Sequence, residues 1–183
     1  DLTGLADAES FTTTSTIAFS AATAGASTFV DCLGEVEEAT LNGHPLPTGL
    51  PPGGHLELPD LQPDNVLVVR SVQRRTDAGQ GVQRSVDPSD GEVYVWTSFE
   101  PDDARWVYAC FDQPDLKAVF AITVHVPERW LVTSNTGHAE VSTSDGVSTW
   151  TYGETPRLST YLPVVNAGPF VERRSTRNGY NLG

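Results

Sequence analysis

Short period-two runs, each closed within a few residues by a turn signal, constrain this chain more than any other feature. Asn65 to Val72 (NVLVVRSV) is the cleanest of them. Thr12 to Phe19 alternates and ends in IAF; Ser27 to Leu33 (STFVDCL) offers Phe29 as a core position. Glu35 to Leu41 meets Asn42-Gly43, a strong hairpin dipeptide. Leu56, Leu58 and Leu61, then Phe120 to Val126, Trp130 to Thr133, Glu140 to Ser142, Ser148 to Tyr152 and Leu158 to Ala167 extend the pattern. Gln73 to Gln83 is polar with two glycines and reads as an exposed loop, and Asp87 to Gly91 as a turn. Only Asp102 to Cys110 offers a helical window longer than about two turns. Many short strands with regular turns predict an all-β sandwich.

Composition bounds the partners. With 183 residues and 38% hydrophobic content the chain can bury a core of its own, while 13 prolines and 16 glycines keep it rich in turns. A net charge of −13 argues against nucleic acid and against an anionic membrane surface, both of which select basic patches. It tolerates a cationic group, such as the amine of a substrate. No signal peptide and no apolar run of transmembrane length is visible. There is no methionine, so Asp1-Leu2 reads as an internal start and the chain as a piece of something larger.

Most candidate chemistry meets a plainer reading. Cys32 and Cys110 form no small disulfide framework and are expected as two buried free thiols, neither with a recognisable histidine partner. His44, His55, His125 and His138 include no H-E-x-x-H and no i, i+4 pair, so no metal site is expected from this chain alone. Asp87 and Asp90-Gly91 lack the alternating ligands of a calcium loop and read as a capped turn. Asp102, Asp103, Asp112 and Asp115 could supply a carboxylate pair for glycosidic chemistry, but acids around turns are common. No G-x-S-x-G supports a nucleophilic serine.

The stretch Tyr94 to Phe120, YVWTSFEPDDARWVYACFDQPDLKAVF, is denser than the rest in anchors, charges and turn formers. Within it Glu100 follows an aromatic strand and precedes Pro101, where the backbone is restricted. A carboxylate fixed there suits recognition of an ammonium group; a salt bridge to Arg105 is the plainer alternative.

This stretch resembles the N-terminal domain of zinc aminopeptidases of the aminopeptidase N type, whose pattern runs Y-x-x-T-Q-F-E-P-x-D-A-R-R-x-F-P-C-F-D-E-P-D-x-K-A-x-F. The flanks agree: Leu2-Thr3-Gly4, TLNG at Thr40 to Gly43, Trp130 with Ser134-Asn135, and TPRLSTYLPVVNAGPF at Thr155 to Phe170. The resemblance implies residues 1–170 as a saddle-like β-sandwich of mostly antiparallel strands with little helix, and 171–183 as a tail leading towards a catalytic domain. That domain would be the partner, would hold the zinc and its H-E-x-x-H, and would act on peptide N-termini. This chain would bind no cofactor and be inactive alone, and the parent would be cytoplasmic.

By the same resemblance, Glu100 falls on the glutamate that helps bind the substrate α-amine. Ser98 falls on a glutamine that lines the pocket for the first side chain, a departure that bears on side-chain preference. Trp106 for arginine, Tyr108 for phenylalanine and Ala109 for proline depart as well. Asp103, Arg105, Asp112, Pro114 and Lys117 keep the family types and read as a charge network holding the loop. The pattern places a tight reversal after the glutamate, where an X-Pro step makes a cis bond comparatively cheap, so a cis Glu100-Pro101 peptide is expected. The rival readings are a free-standing β-sandwich binding module and a degenerate family member with a structural role.

Overall fold

A computed structural model of the protein describes residues 1–137 and 139–182. The strands are β1 (Ser10–Ser20), β2 (Thr28–Asp31), β3 (Glu35–Leu41), β4 (His44–Pro45), β5 (His55–Leu58) and β6 (Asp64–Arg74). They continue with β7 (Gly81–Val86), β8 (Val93–Ser98), β9 (Thr123–Pro127), β10 (Leu131–Ser134) and β11 (Ala139–Ser144). β12 (Val147–Tyr152), β13 (Val165–Gly168), β14 (Ser175–Arg177) and β15 (Tyr180–Leu182) complete the order. All pairings are antiparallel, and the only helical turns among the described residues are short 3-10 segments at Pro52–Gly54 and Ala104–Trp106. The all-β expectation holds.

Four strands in the order β1-β6-β3-β4 form the first sheet, and β6 pairs with β1 along all eleven residues. Period-two burial decides which face points inward. On β6 that face carries Asn65, Leu67, Val69, Ser71 and Gln73, all buried, while Val66 is 48% exposed opposite. With the β2-β5 ribbon it encloses one core, built on Val30, Val36, Leu56, Leu58, Leu67 and Val69. The second core lies under the sheet β10-β13-β8-β7 and the sheet β11-β12-β9, around Val95, Phe99, Val126, Trp130 and Tyr152. Complete burial of each such side chain contributes about 1.5–3 kcal/mol.

The dense stretch stands between the two cores. Phe99, Ala104, Val107 and Cys110 pack into one, Ala109 and Phe111 into the other. Asp31 and Cys110 exchange backbone hydrogen bonds of 2.8 and 3.1 Å, tying the stretch to the end of β2.

Asn42-Gly43 makes the expected two-residue hairpin, with φ of 51° and 80°, the mirror-image turn whose twist suits paired strands. Asn42 also reaches across: its amide donates to Asn65 Oδ1 at 3.0 Å, and its Oδ1 accepts from the Val66 N–H at 2.8 Å.

Three local expectations change. Phe29 is 43% exposed, because the inward phase of β2 belongs to Val30, and its ring packs on His55 instead. The polar run 73–83 is a loop only at its centre: Gln73 lies in β6 and Gln83 in β7, both buried. Gln73 donates to Ser71 Oγ at 3.0 Å, and its amide lies against Gly34, where a Cβ would fall 2.5 Å from Gln73 Cδ. The window Asp102–Cys110 yields one 3-10 turn, since its apolar residues are divided between two cores instead of lining one helical face.

Candidate functional site

β8 presents the site. Val95 and Thr97 point to the core side, so Tyr94, Trp96 and Ser98 share the outer face. Tyr94 packs on Phe170 with ring centroids 5.0 Å apart, and it lies so close to Gly168 that a Cβ there would come within 2.6 Å of its ring. Trp96 is 38% exposed and pairs across the sheet with Gln83 and Asn166. Ser98 pairs with Gly81, and a Cβ on Gly81 would lie 2.9 Å from Trp106 Cβ. Two of the four departures from the pattern, Ser98 and Trp106, therefore flank one strand pair, a proximity that sequence spacing does not reveal.

Beyond Ser98 the chain drops Phe99 into the core, against Tyr108, and then exposes Glu100. The Glu100-Pro101 peptide is cis, as expected. The Glu100 N–H points at Asp103 Oδ2 at 3.5 Å, a marginal contact, while its carboxylate has no hydrogen-bond or ion-pair partner among the described residues.

Arg105 is committed elsewhere, which disposes of the salt-bridge alternative for Glu100. Its Nε donates to Asp112 Oδ2 at 3.1 Å and to the Asp102 carbonyl at 2.7 Å. Its two terminal nitrogens reach Asp31 Oδ1 at 3.2 Å and Asp102 Oδ2 at 3.3 Å. Asp112, with a fully buried side chain, also accepts from the Arg105 N–H at 3.0 Å and the Thr160 hydroxyl at 2.8 Å. Asp31 Oδ2 accepts the Asp112 N–H at 3.1 Å, and His55 Nδ1 lies 3.2 Å from Asp31 Oδ1. Burial works against the Arg105 charge, but the Asp112 hydrogen bond and the charges of Asp31, Asp112 and Asp102 outweigh it and hold the guanidinium above its ordinary value.

The network expected from the sequence exists with different members. Arg105 and Asp112 are its centre; Asp31, Asp102 and Thr160 join it; Asp103 and Lys117 form no ion pair among the described residues. Its effect is to fix the 101–105 turn that carries Glu100. Of the four acids considered for glycosidic chemistry, Asp102 and Asp112 both engage Arg105 and so are not a free pair.

Other candidates stay outside the site. His125 bonds Thr149, His55 leans on Phe29 and Asp31, and His138 lies outside the described residues. Among the described residues no group of three histidine, cysteine, aspartate or glutamate side chains could hold a metal ion. Both cysteines are free and buried, as expected. Burial, reinforced by the negative charges of Asp112 and Asp31, pushes the Cys110 thiol well above its ordinary value, so it stays protonated and unreactive at neutral pH. Native protein at pH 8 should accordingly resist a thiol reagent, with both thiols released only on unfolding in urea. Rapid native labelling would contradict that burial.

Residues 67–162 match the family model of the peptidase M1 N-terminal domain. The chain belongs to that family. Aminopeptidase N of Streptomyces lividans is 40% identical over 173 residues, covering 93% of this chain and 20% of that protein. Probable aminopeptidase 1 of Sulfurisphaera tokodaii is 40% identical over 87 residues, covering 48% of this chain and 11% of that protein. Aminopeptidase M1-A of Oryza sativa subsp. japonica is 36% identical over 109 residues, covering 58% of this chain and 12% of that protein. The chain thus spans about a fifth or less of the length of these curated relatives. Both Ser98 and Glu100 lie inside the matched region of this M1 N-terminal domain.

Proposed function

We propose that this chain is the non-catalytic N-terminal domain of a zinc-dependent aminopeptidase, and that Glu100 receives the α-ammonium of a peptide's first residue. The observation that carries the proposal is the free carboxylate of Glu100 beside an arginine already engaged by three aspartates. A carboxylate held at the end of a rigid strand is a preorganised acceptor for charge-assisted hydrogen bonds. Ser98, two residues earlier on the outer face of β8, borders the first side chain in this reading. Family membership and relatives named aminopeptidases support the class of reaction.

The described residues do not fit a zinc site, so the metal and the water it activates belong to the catalytic domain in this reading. That domain is the partner. The exposed aromatic and aliphatic residues Trp96, Leu162 and Phe170, on a chain of charge −13, fit a surface for it to cover.

Glu100 itself is exposed in this domain. Its drying would come with the covering domain. The deciding experiment assays the full-length gene product and the 183-residue chain separately on aminoacyl amides. Hydrolysis by the former, lost with a chelator and restored by zinc, and none by the latter is expected. Chelator-insensitive turnover, or no turnover by the full-length protein, would overturn the reading.

A further inference from the structure

The rung of β7 and β8 nearest Glu100 is almost bare of side chain. Ser98 pairs with Gly81 there, so one residue offers a hydroxymethyl group to the outer face and the other nothing. Gly81 has φ of 69°, and a Cβ on it would fall 2.9 Å from Trp106 Cβ, so a larger residue is excluded twice over. Trp106 thus sits over the Gly81 end of the rung.

One rung along, roughly 7 Å away at strand spacing, the same face carries Trp96, 38% exposed. The amides beside it are turned to other partners. Gln83 donates to the Thr76 hydroxyl and the Gln80 carbonyl, and Asn166 donates to Thr133 Oγ1 at 3.0 Å. The indole is left as the apolar surface of that rung. The result is a recess floored by Ser98 and Gly81, with Trp106 on one side and Trp96 on another. Both sides are held. The Trp106 N–H bonds the Asp103 carbonyl at 3.1 Å, and its ring packs on the core that contains Val95. Between Trp96 and Ser98, the Thr97 hydroxyl accepts the Val165 N–H at 3.0 Å and ties the strand to the segment entering β13.

We propose that this recess selects peptides whose first residue is aromatic, with Trp96 as the specificity-determining side chain. The inference rests on the amine-binding role given to Glu100 above. With the α-ammonium at Glu100, the first side chain runs back along β8 over Ser98. A methyl group ends above the serine, whereas a phenyl or indole ring reaches Trp96 and packs against it offset or edge-on, as aromatic pairs favour. The glutamine of the family pattern would occupy the same space, so Ser98 opens the way to Trp96. The catalytic domain then covers the bound ring together with Trp96.

The test measures kcat/KM of the full-length gene product on phenylalanyl and alanyl amides, for wild type, Trp96→Ala, Trp96→Phe and Ser98→Gln. Wild type should favour the phenylalanyl amide by ~tenfold or more, and Trp96→Ala should lower that ratio by ~tenfold. Trp96→Phe, which keeps a ring, should hold the ratio within ~threefold of wild type. Ser98→Gln, which fills the recess and leaves Trp96 in place, should lower it. A tryptophan that only packs under the catalytic domain would instead reduce turnover of both amides equally. An unchanged ratio in Trp96→Ala and Ser98→Gln, or a wild type that favours the alanyl amide, overturns the inference and leaves the role of Glu100 standing. Hydrolysis of neither amide by wild type overturns both.

Discussion

Asp112→Ala is expected to lower the unfolding free energy by about 3–5 kcal/mol, the loss that follows when one partner of a buried ion pair is removed. The side chain of Asp112 is fully buried and accepts three hydrogen bonds, from the Arg105 N–H, the Arg105 guanidinium and Thr160. Without it those donors lose their acceptor, and a guanidinium only 23% exposed is left to Asp31 and Asp102. Asp112 also joins segments far apart in sequence, because its N–H bonds Asp31 and its carboxylate bonds Thr160. Against a typical domain stability of about 5–15 kcal/mol the loss is large, and it reads as a lower urea midpoint. Asp102→Ala supplies the contrast. That carboxylate is 59% exposed, so its pair with Arg105 is worth about 1 kcal/mol or less. A midpoint for Asp112→Ala no lower than that of Asp102→Ala would show that the network contributes nothing beyond a surface ion pair.

How legible this was in the sequence depends on the range of the interaction. Strands and hairpins answer to local pattern, and β6 or the Asn42-Gly43 turn could be read directly. Asp145-Gly146 and Asn178-Gly179 carry the same kind of dipeptide, with φ of 52° and 77° and of 52° and 81°, and close β11-β12 and β14-β15. Polarity misled at Gln73 and Gln83, where amides are buried because other polar groups meet them. Phe29 misled for the opposite reason: hydrophobicity does not fix phase on a four-residue strand, and the inward place fell to Val30. In the site, Glu100 and Ser98 were legible as a motif. The Arg105–Asp31 contact spans 74 residues, so only the fold could show that Arg105 is unavailable to Glu100.

Glu100→Gln in the full-length protein is expected to lower kcat/KM on aminoacyl amides by about ten- to a hundredfold, the range of one lost charge-assisted hydrogen bond. Stability should hardly change, within about 0.5 kcal/mol, because the carboxylate has no partner among the described residues to lose. The two readouts separate recognition from folding. A structural glutamate would move Tm together with activity, whereas a recognition glutamate moves activity alone. The size of the effect also reports on the surroundings. An exposed carboxylate facing an ammonium in water is worth about 0–1 kcal/mol, too little for a hundredfold change. A large loss therefore requires that water be excluded from Glu100 when substrate is bound, and this domain leaves the residue exposed. In the proposed reading the covering surface belongs to the catalytic domain. A loss of only two- or threefold would leave Glu100 a solvated rim residue and remove it from the amine site.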